Sequence, residues 1–195
     1  MNTHDKLMEA AITLLDQAGP EGVTLRAVGA LAGVSHNAPY KHFTDKEGLL
    51  AAVAAAELRR HDAAMRAIAA AEPSALERLR AMAGAHVAWA IRYPRRFRLI
   101  FGLWTRHDDA LHLAAGESRH TLLSAVAAAQ EAGLIRQGEA ERTAALLMAA
   151  AHGAVDMFLS GHLALDGKGG ATPEELVLAL IELLRQDSAG DTQQR

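Results

Sequence analysis

Between positions 24 and 50 the chain reads TLRAVGALAGVSHNAPYKHFTDKEGLL, and its groups able to make directional polar contacts crowd toward the middle. Tyr40 and His42 can donate to phosphate oxygens, and Lys41 can reach a phosphate or a guanine edge. His36, Asn37 and Ala38 lie just upstream, where side-chain identity would select among bases; Ser35 precedes them as a further DNA-facing candidate, while Thr24 and Arg26 suit backbone phosphates. Lys46 falls in the first turn of the next helix. A cation there opposes the helix dipole by roughly a few tenths of a kcal/mol, so a neighbouring phosphate would explain its placement. The chemistry these residues suit is the gripping of a duplex. The same residue types also occur on any solvated surface, and Thr24 could serve only as a cap.

The elements that must position them follow from spacing. Thr24 can cap a short helix with Leu25, Val28 and Leu31 on one face, and Gly33 permits a sharp turn. Ser35 can cap a second helix running through His36, Asn37, Tyr40 and Lys41. A helix, a tight turn and a second helix form a helix-turn-helix, whose second helix enters the major groove. Phe43 reads as core, and Pro39 is tolerable in a first turn. Upstream, residues 6–18 carry Leu7, Ala11, Leu14, Leu15 and Ala18 as an apolar stripe that Gly19-Pro20 ends, which makes three helices in all.

Further along, Thr44 and Glu47 have capping-box spacing and open a helix running past Arg60 with Leu50, Val53, Glu57 or Leu58, and His61 on one stripe. Ser74 and Glu77 predict another start, with Leu76, Leu79, Ala83, Val87 and Ala90 inward, and Tyr93-Pro94 breaks that helix. The spacing predicts further helices over 95–104, over 111–132 up to Gly133, and from about Glu139 through Phe158. Thr172-Pro173-Glu174-Glu175 combines cap, first-turn proline and box glutamate, starting a helix to about Arg185. No strand and no internal repeat is expected.

With 195 residues, 50% of them hydrophobic, the chain can bury a sizeable core. The absence of cysteine removes disulfides and thiolate metal sites, and fits a reducing cytoplasm. Neither a signal peptide nor an apolar span of membrane length is legible, so the expectation is a cytoplasmic protein with no membrane partner. The net charge of −3 argues against nonspecific coating of nucleic acid. In the first fifty residues Lys6, Arg26, Lys41 and Lys46 face six carboxylates. Any affinity for DNA must therefore come from a few well-placed groups in two copies.

The capped helix, Gly33-Val34-Ser35, Tyr40-Lys41-His42-Phe43 and Asp45-Lys46-Glu47-Gly48-Leu49-Leu50 resemble the DNA-binding region of the tetracycline-repressor (TetR/AcrR) family of one-component regulators. The likeness is close over the N-terminal quarter of the chain. Beyond it, Arg98-Leu99-Ile100-Phe101-Gly102 and His152-Gly153 resemble the ligand-binding half of one subgroup. The resemblance implies an all-α chain: a three-helix helix-turn-helix domain over 1–48, a helical ligand-binding and dimerisation bundle over 49–188, and a flexible tail over 189–195. It implies a non-enzymatic regulator, more often a repressor, that binds double-stranded DNA without a cofactor and releases it when a small effector enters the C-terminal half. It also implies a homodimer through the last two long helices. The residues agree, since Leu176, Val177, Leu178, Leu180, Ile181, Leu183 and Leu184 surround most of the last helix and one apolar face needs a cover. Ala149, Ala150, Gly153, Ala154 and Gly161 on the preceding helix permit close approach.

Large apolar and scattered polar groups in the second half could line an effector pocket: Met82, His86, Trp89, Tyr93, Phe97, Phe101, Trp104, His152, Asp156 and Met157. Such residues at helical spacing also make an ordinary core. Arg92, Arg95, Arg96 and Arg98 could receive an anionic effector or form a solvated face. Two other functional classes stay open: a DNA-binding regulator governed by a protein partner, and a helical metalloenzyme built on Glu117 and His120. The latter lacks a second Glu-x-x-His and the facing carboxylates that such a site requires.

Overall fold

The computed structural model describes residues 2–186, and the 189–195 tail expected to be flexible lies outside them. Nine helices are present among the described residues: α1 (Thr3–Gly22), α2 (Leu25–Leu31), α3 (Ala38–His42), α4 (Lys46–Ala71), α5 (Ala75–Arg92), α6 (Pro94–Ile100), α7 (Asp109–Glu131), α8 (Ala140–Leu159) and α9 (Pro173–Leu183). No strand occurs there beyond two isolated bridges. No helix among the described residues is long and apolar enough to cross a membrane. The chain divides into two compact units, Met1–Asp62 with Arg92–Ser118 and Ala63–Ile91 with Arg119–Arg195.

In the first unit α1 packs on α2, α3 and α6, and α2 on α3. α1 begins earlier than its apolar stripe, because Asn2 and Asp5 form a capping box. Gly19, at φ 71° and ψ −176°, breaks it as its sequence position implies, and a last turn follows to Gly22. Leu7, Ala11 and Leu15 are fully buried, whereas Ala18, beside the break, is exposed. The start of α4 is capped by Asp45 and not by Thr44: the Asp45 carboxylate accepts from the Gly48 N–H at 2.8 Å. Its negative charge suits a helix N-terminus better than a hydroxyl does. Along α4 both Glu57 and Leu58 are buried, as are Val53 and His61.

In the second unit Leu76 and Leu79 of α5, Val126 and Ala129 of α7, Ala144 and Leu147 of α8 and Ile181 of α9 close on Ile135 in one apolar cluster. α7 is capped by Asp108, whose carboxylate accepts from the Leu111 N–H at 2.9 Å, and it stops before Gly133 at φ 66°. The Thr172 and Glu175 capping box forms as its spacing predicts, with the Glu175 N–H on the Thr172 hydroxyl at 3.2 Å and the Thr172 N–H on the Glu175 carboxylate at 2.7 Å. α9 is two residues shorter than its sequence suggests. Arg185 leaves the helix to bridge to Ile135, and the Arg136 N–H donates to the Leu184 carbonyl at 2.7 Å.

Candidate nucleic-acid interface

Thr24 is extended and its hydroxyl accepts from the Ala27 N–H at 3.1 Å, so its capping role is real and α2 starts at Leu25. Leu25 and Val28 are buried, but Leu31 is 51% exposed. The position facing α3 is instead Gly29, where a Cβ would lie 2.8 Å from Pro39 Cγ. Gly29 and Pro39 thus form the close contact between the two helices, and the sequence hint was a glycine one turn into a helix that a proline-bearing segment must meet. The turn closes through the Val34 N–H on the Gly29 carbonyl at 3.1 Å, with Gly33 at φ 65°.

The second helix starts later than its sequence suggests. Ser35 does not cap it; residues 35–37 form a turn in which the Ala38 N–H donates to the Ser35 carbonyl at 2.9 Å, and α3 runs Ala38–His42. Pro39 is the physical reason. A helix begun at Ser35 would need the residue-39 N–H for its first full turn, and proline has none. Asn37 occupies the cap position without a side-chain cap bond. Ser35, His36 and Asn37 therefore lead into α3 from a turn.

This arrangement sorts the side chains. Pro39 and Phe43 are buried, while Thr24, Arg26, Ser35, His36, Asn37, Tyr40, Lys41 and His42 are exposed; Ala38 is half-buried. The His36 and Tyr40 rings lie 5.9 Å apart. Lys46 is partly exposed and its ammonium lies 3.7 Å from the Glu21 carboxylate, an internal partner alongside any phosphate. His4, at the start of α1, joins the group: its ring is 5.8 Å from that of His42 and 5.6 Å from that of Phe43. Nothing in the sequence could signal this, because only the packing of α1 on α3 brings the two histidines together. Just after α3 in sequence, the Asp45 carboxylate accepts from Arg106 at 2.8 Å. The Gly48 N–H and this guanidinium hold the partly exposed Asp45 carboxyl below its ordinary range.

The proposed effector residues fall in both units. In the second, the His86 and His152 rings stack at 5.6 Å and 8°, with Trp89 6.2 Å from His86. Burial pushes the His152 imidazole pKa down, against the opposing pull of Asp156, which lies on the exposed side of α8. In the first unit, Phe97 and Phe101 meet at 5.4 Å, and the Tyr93 ring lies 4.4 Å from the Arg96 guanidinium. α6 ends at Ile100, not near Trp104. Gly102 follows the Phe101 cap where a Cβ would lie 2.5 Å from the Arg98 carbonyl, and Trp104 stands in the irregular segment beyond. Of the four arginines, Arg95 and Arg96 are already engaged with α1. Glu117 and His120 are both exposed on α7, and no group of three metal-ligating side chains stands together among the described residues.

Against known families, residues 7–53 match the bacterial regulatory proteins of the tetR family, and residues 79–184 match the tetracyclin repressor-like C-terminal domain. The second match alone spans more than half of the chain. The chain belongs to the tetracycline-repressor family. It is a TetR-family transcription regulator with a helix-turn-helix DNA-binding domain, and members of this family are DNA-binding regulators, not enzymes. Among solved structures, a protein of unknown function from Rhodococcus sp. RHA1 is 31% identical, with TM-score 0.83, over 95% of this chain and 97% of that one. The TetR family transcriptional regulator PfmR from Thermus thermophilus shares the fold at 19% identity and TM-score 0.66, covering 92% and 96% of the two chains. The transcriptional regulator FadR from Bacillus subtilis, solved in complex with stearoyl-CoA, does so at 14% identity and TM-score 0.72, covering 94% and 98%. No curated protein sequence matches this TetR-family chain.

Proposed function

We propose that this chain is a ligand-responsive repressor that binds a near-palindromic operator as a homodimer and leaves it when a small molecule enters the C-terminal half. In this reading residues 1–48 hold the DNA and 49–188 hold the effector and the partner subunit. The observation that carries it is the one-sided surface of α2, the turn and α3. Pro39 and Phe43 face inward, Ala38 and Lys46 are partly exposed, and the other groups suited to phosphates and base edges face solvent. Tyr40, Lys41, His42, Lys46, Thr24 and Arg26 fix register on the backbone, Ser35 lies against the duplex, and His36, Asn37 and Ala38 meet the bases. His4 adds an imidazole beside His42.

The second copy has a surface waiting for it. On α8, Leu146 and Met157 are 48% and 47% exposed, with exposed Ala149 and Gly153 between them at helical spacing. On α9, which packs against α8, Leu176 and Leu183 are 41% and 70% exposed. Small residues flanked by leucine and methionine suit a close helix-to-helix seam between protomers. Pairing would set two recognition elements about 34–36 Å apart, so that individually weak contacts act together.

The effector is a partly apolar small molecule, and the stacked His86 and His152 with Trp89 in the second unit are the candidate groups that meet it. It acts by favouring a dimer whose reading elements are out of register with the groove. Selection from a random duplex pool, with sedimentation of the purified protein, tests the core of this reading. A selected inverted repeat bound by two copies is expected. A monomer, or a protein that retains no duplex, would overturn it.

A further inference from the structure

We infer that Arg96 is a positioning residue for operator binding: it fastens α6 to α1 and α4 at once, and the setting of the reading helices depends on that joint. The inference rests on the DNA-binding reading above.

The joint is built on the break in α1. Pro20 has no N–H, so the Asp16 carbonyl loses the donor that a continuous helix would supply four residues on. Arg95 Nη1 donates to that carbonyl, and its side chain runs beside Gly19, with Cδ 3.9 Å from where a Cβ would stand. The Asp16 carboxylate takes the next arginine, with Arg96 Nε donating at 2.9 Å. The other arm of the same guanidinium donates to Glu57 on α4 at 2.8 Å. Glu57 is 2% exposed at its side chain and Arg96 14%, and the second Glu57 oxygen accepts from Arg60 at 2.6 Å. Tyr93 lies against the guanidinium. The Arg96 pKa is raised, chiefly by the bond to Asp16.

A planar fork with five fixed donors can serve carboxylates on two helices; an ammonium is a point charge and cannot hold both in one orientation. A buried carboxylate left without its cation is strongly disfavoured, so the network permits one arrangement where a purely apolar contact would allow sliding. α1 is the element it fixes, and α1 packs directly on α2 and α3. None of the three charged groups is on the exposed face that carries Tyr40 and Lys41. Their effect on DNA must therefore pass through the placement of α1.

The chain has no cysteine, so Ala30→Cys and Arg98→Cys, at exposed positions of α2 and α6, give a clean spin-label pair, diluted into unlabelled protein. The DNA probe is the duplex that the wild-type chain selects from a random pool. Arg96→Lys is expected to keep helix content and oligomeric state, bind that duplex about tenfold more weakly, and broaden the label-to-label distance distribution. Asp16→Asn, at a more exposed carboxylate, is expected to act in the same direction and replaces Arg96→Lys if that variant does not fold. Wild-type affinity with an unbroadened distribution in the folded variant would overturn the inference. If the wild type selects no duplex, the DNA reading fails; the distance distribution then decides the joint alone, broadening supporting it and an unchanged width overturning it.

Discussion

Lys41 and Tyr40 stand out at the level of single residues because each is exposed on α3 while its neighbours Pro39 and Phe43 are buried. Replacing Lys41 with alanine should weaken binding uniformly across duplex sequences and lower the salt slope by about one, as read by anisotropy titrations at several salt concentrations. Tyr40→Ala should weaken binding with the dimer intact on sedimentation. Lys46→Ala should do the same more mildly, since Glu21 competes with phosphate for its ammonium. Wild-type affinity and salt slope in both Tyr40→Ala and Lys46→Ala would remove these assignments.

His61 makes a separate prediction, about stability. Burial pushes its pKa from 6.5 down to about 4, against the opposing pull of Asp62. As pH falls through this window the unfolded chain takes up the proton first, so stability present above pH 6.5 is progressively lost toward pH 4. The loss should reach about 3 kcal/mol for this group alone. Thermal melts across that range should slope downward with acidity, and His61→Gln should flatten the slope.

At the scale of elements, α2 and α3 depend on the gap at Gly29. In an open helix glycine to alanine is worth about 1 kcal/mol of stability. Here the added methyl would meet the Pro39 ring, a rigid neighbour, at 2.8 Å. Gly29→Ala should therefore destabilise by about 1–3 kcal/mol, seen in denaturant melts, and should weaken DNA binding as α3 is pushed outward. In the second unit, Thr172→Ala removes the capping hydroxyl from α9 and should cost about 1 kcal/mol without affecting the first unit's contacts.

For the whole molecule, the exposed leucines of α8 and α9 matter most. Leu183→Glu places a charge at a position 70% exposed in the single chain, which a monomer would tolerate easily. In a dimer through this face it would be buried without a partner. The expected outcome is a folded monomer with little duplex affinity, read by sedimentation and circular dichroism. A dimer unchanged by both Leu183→Glu and Leu146→Glu would place the subunit contact elsewhere.

The local order of residues by itself determined much of this protein. Helical periodicity, the breaks at Gly19-Pro20 and Tyr93-Pro94, the Gly33 turn and the Thr172 capping box were legible because each depends on groups within four residues of one another. Competing local signals were harder to rank. Thr44 and Asp45 both could cap α4, and Ser35 was a fair cap until the missing N–H of Pro39 delayed α3. Only the tertiary structure decided which contacts join distant positions. His4 beside His42, Gly29 under Pro39 and the arginine pair of α6 on the broken end of α1 are separated by 10 to 80 residues, and packing alone brings them together.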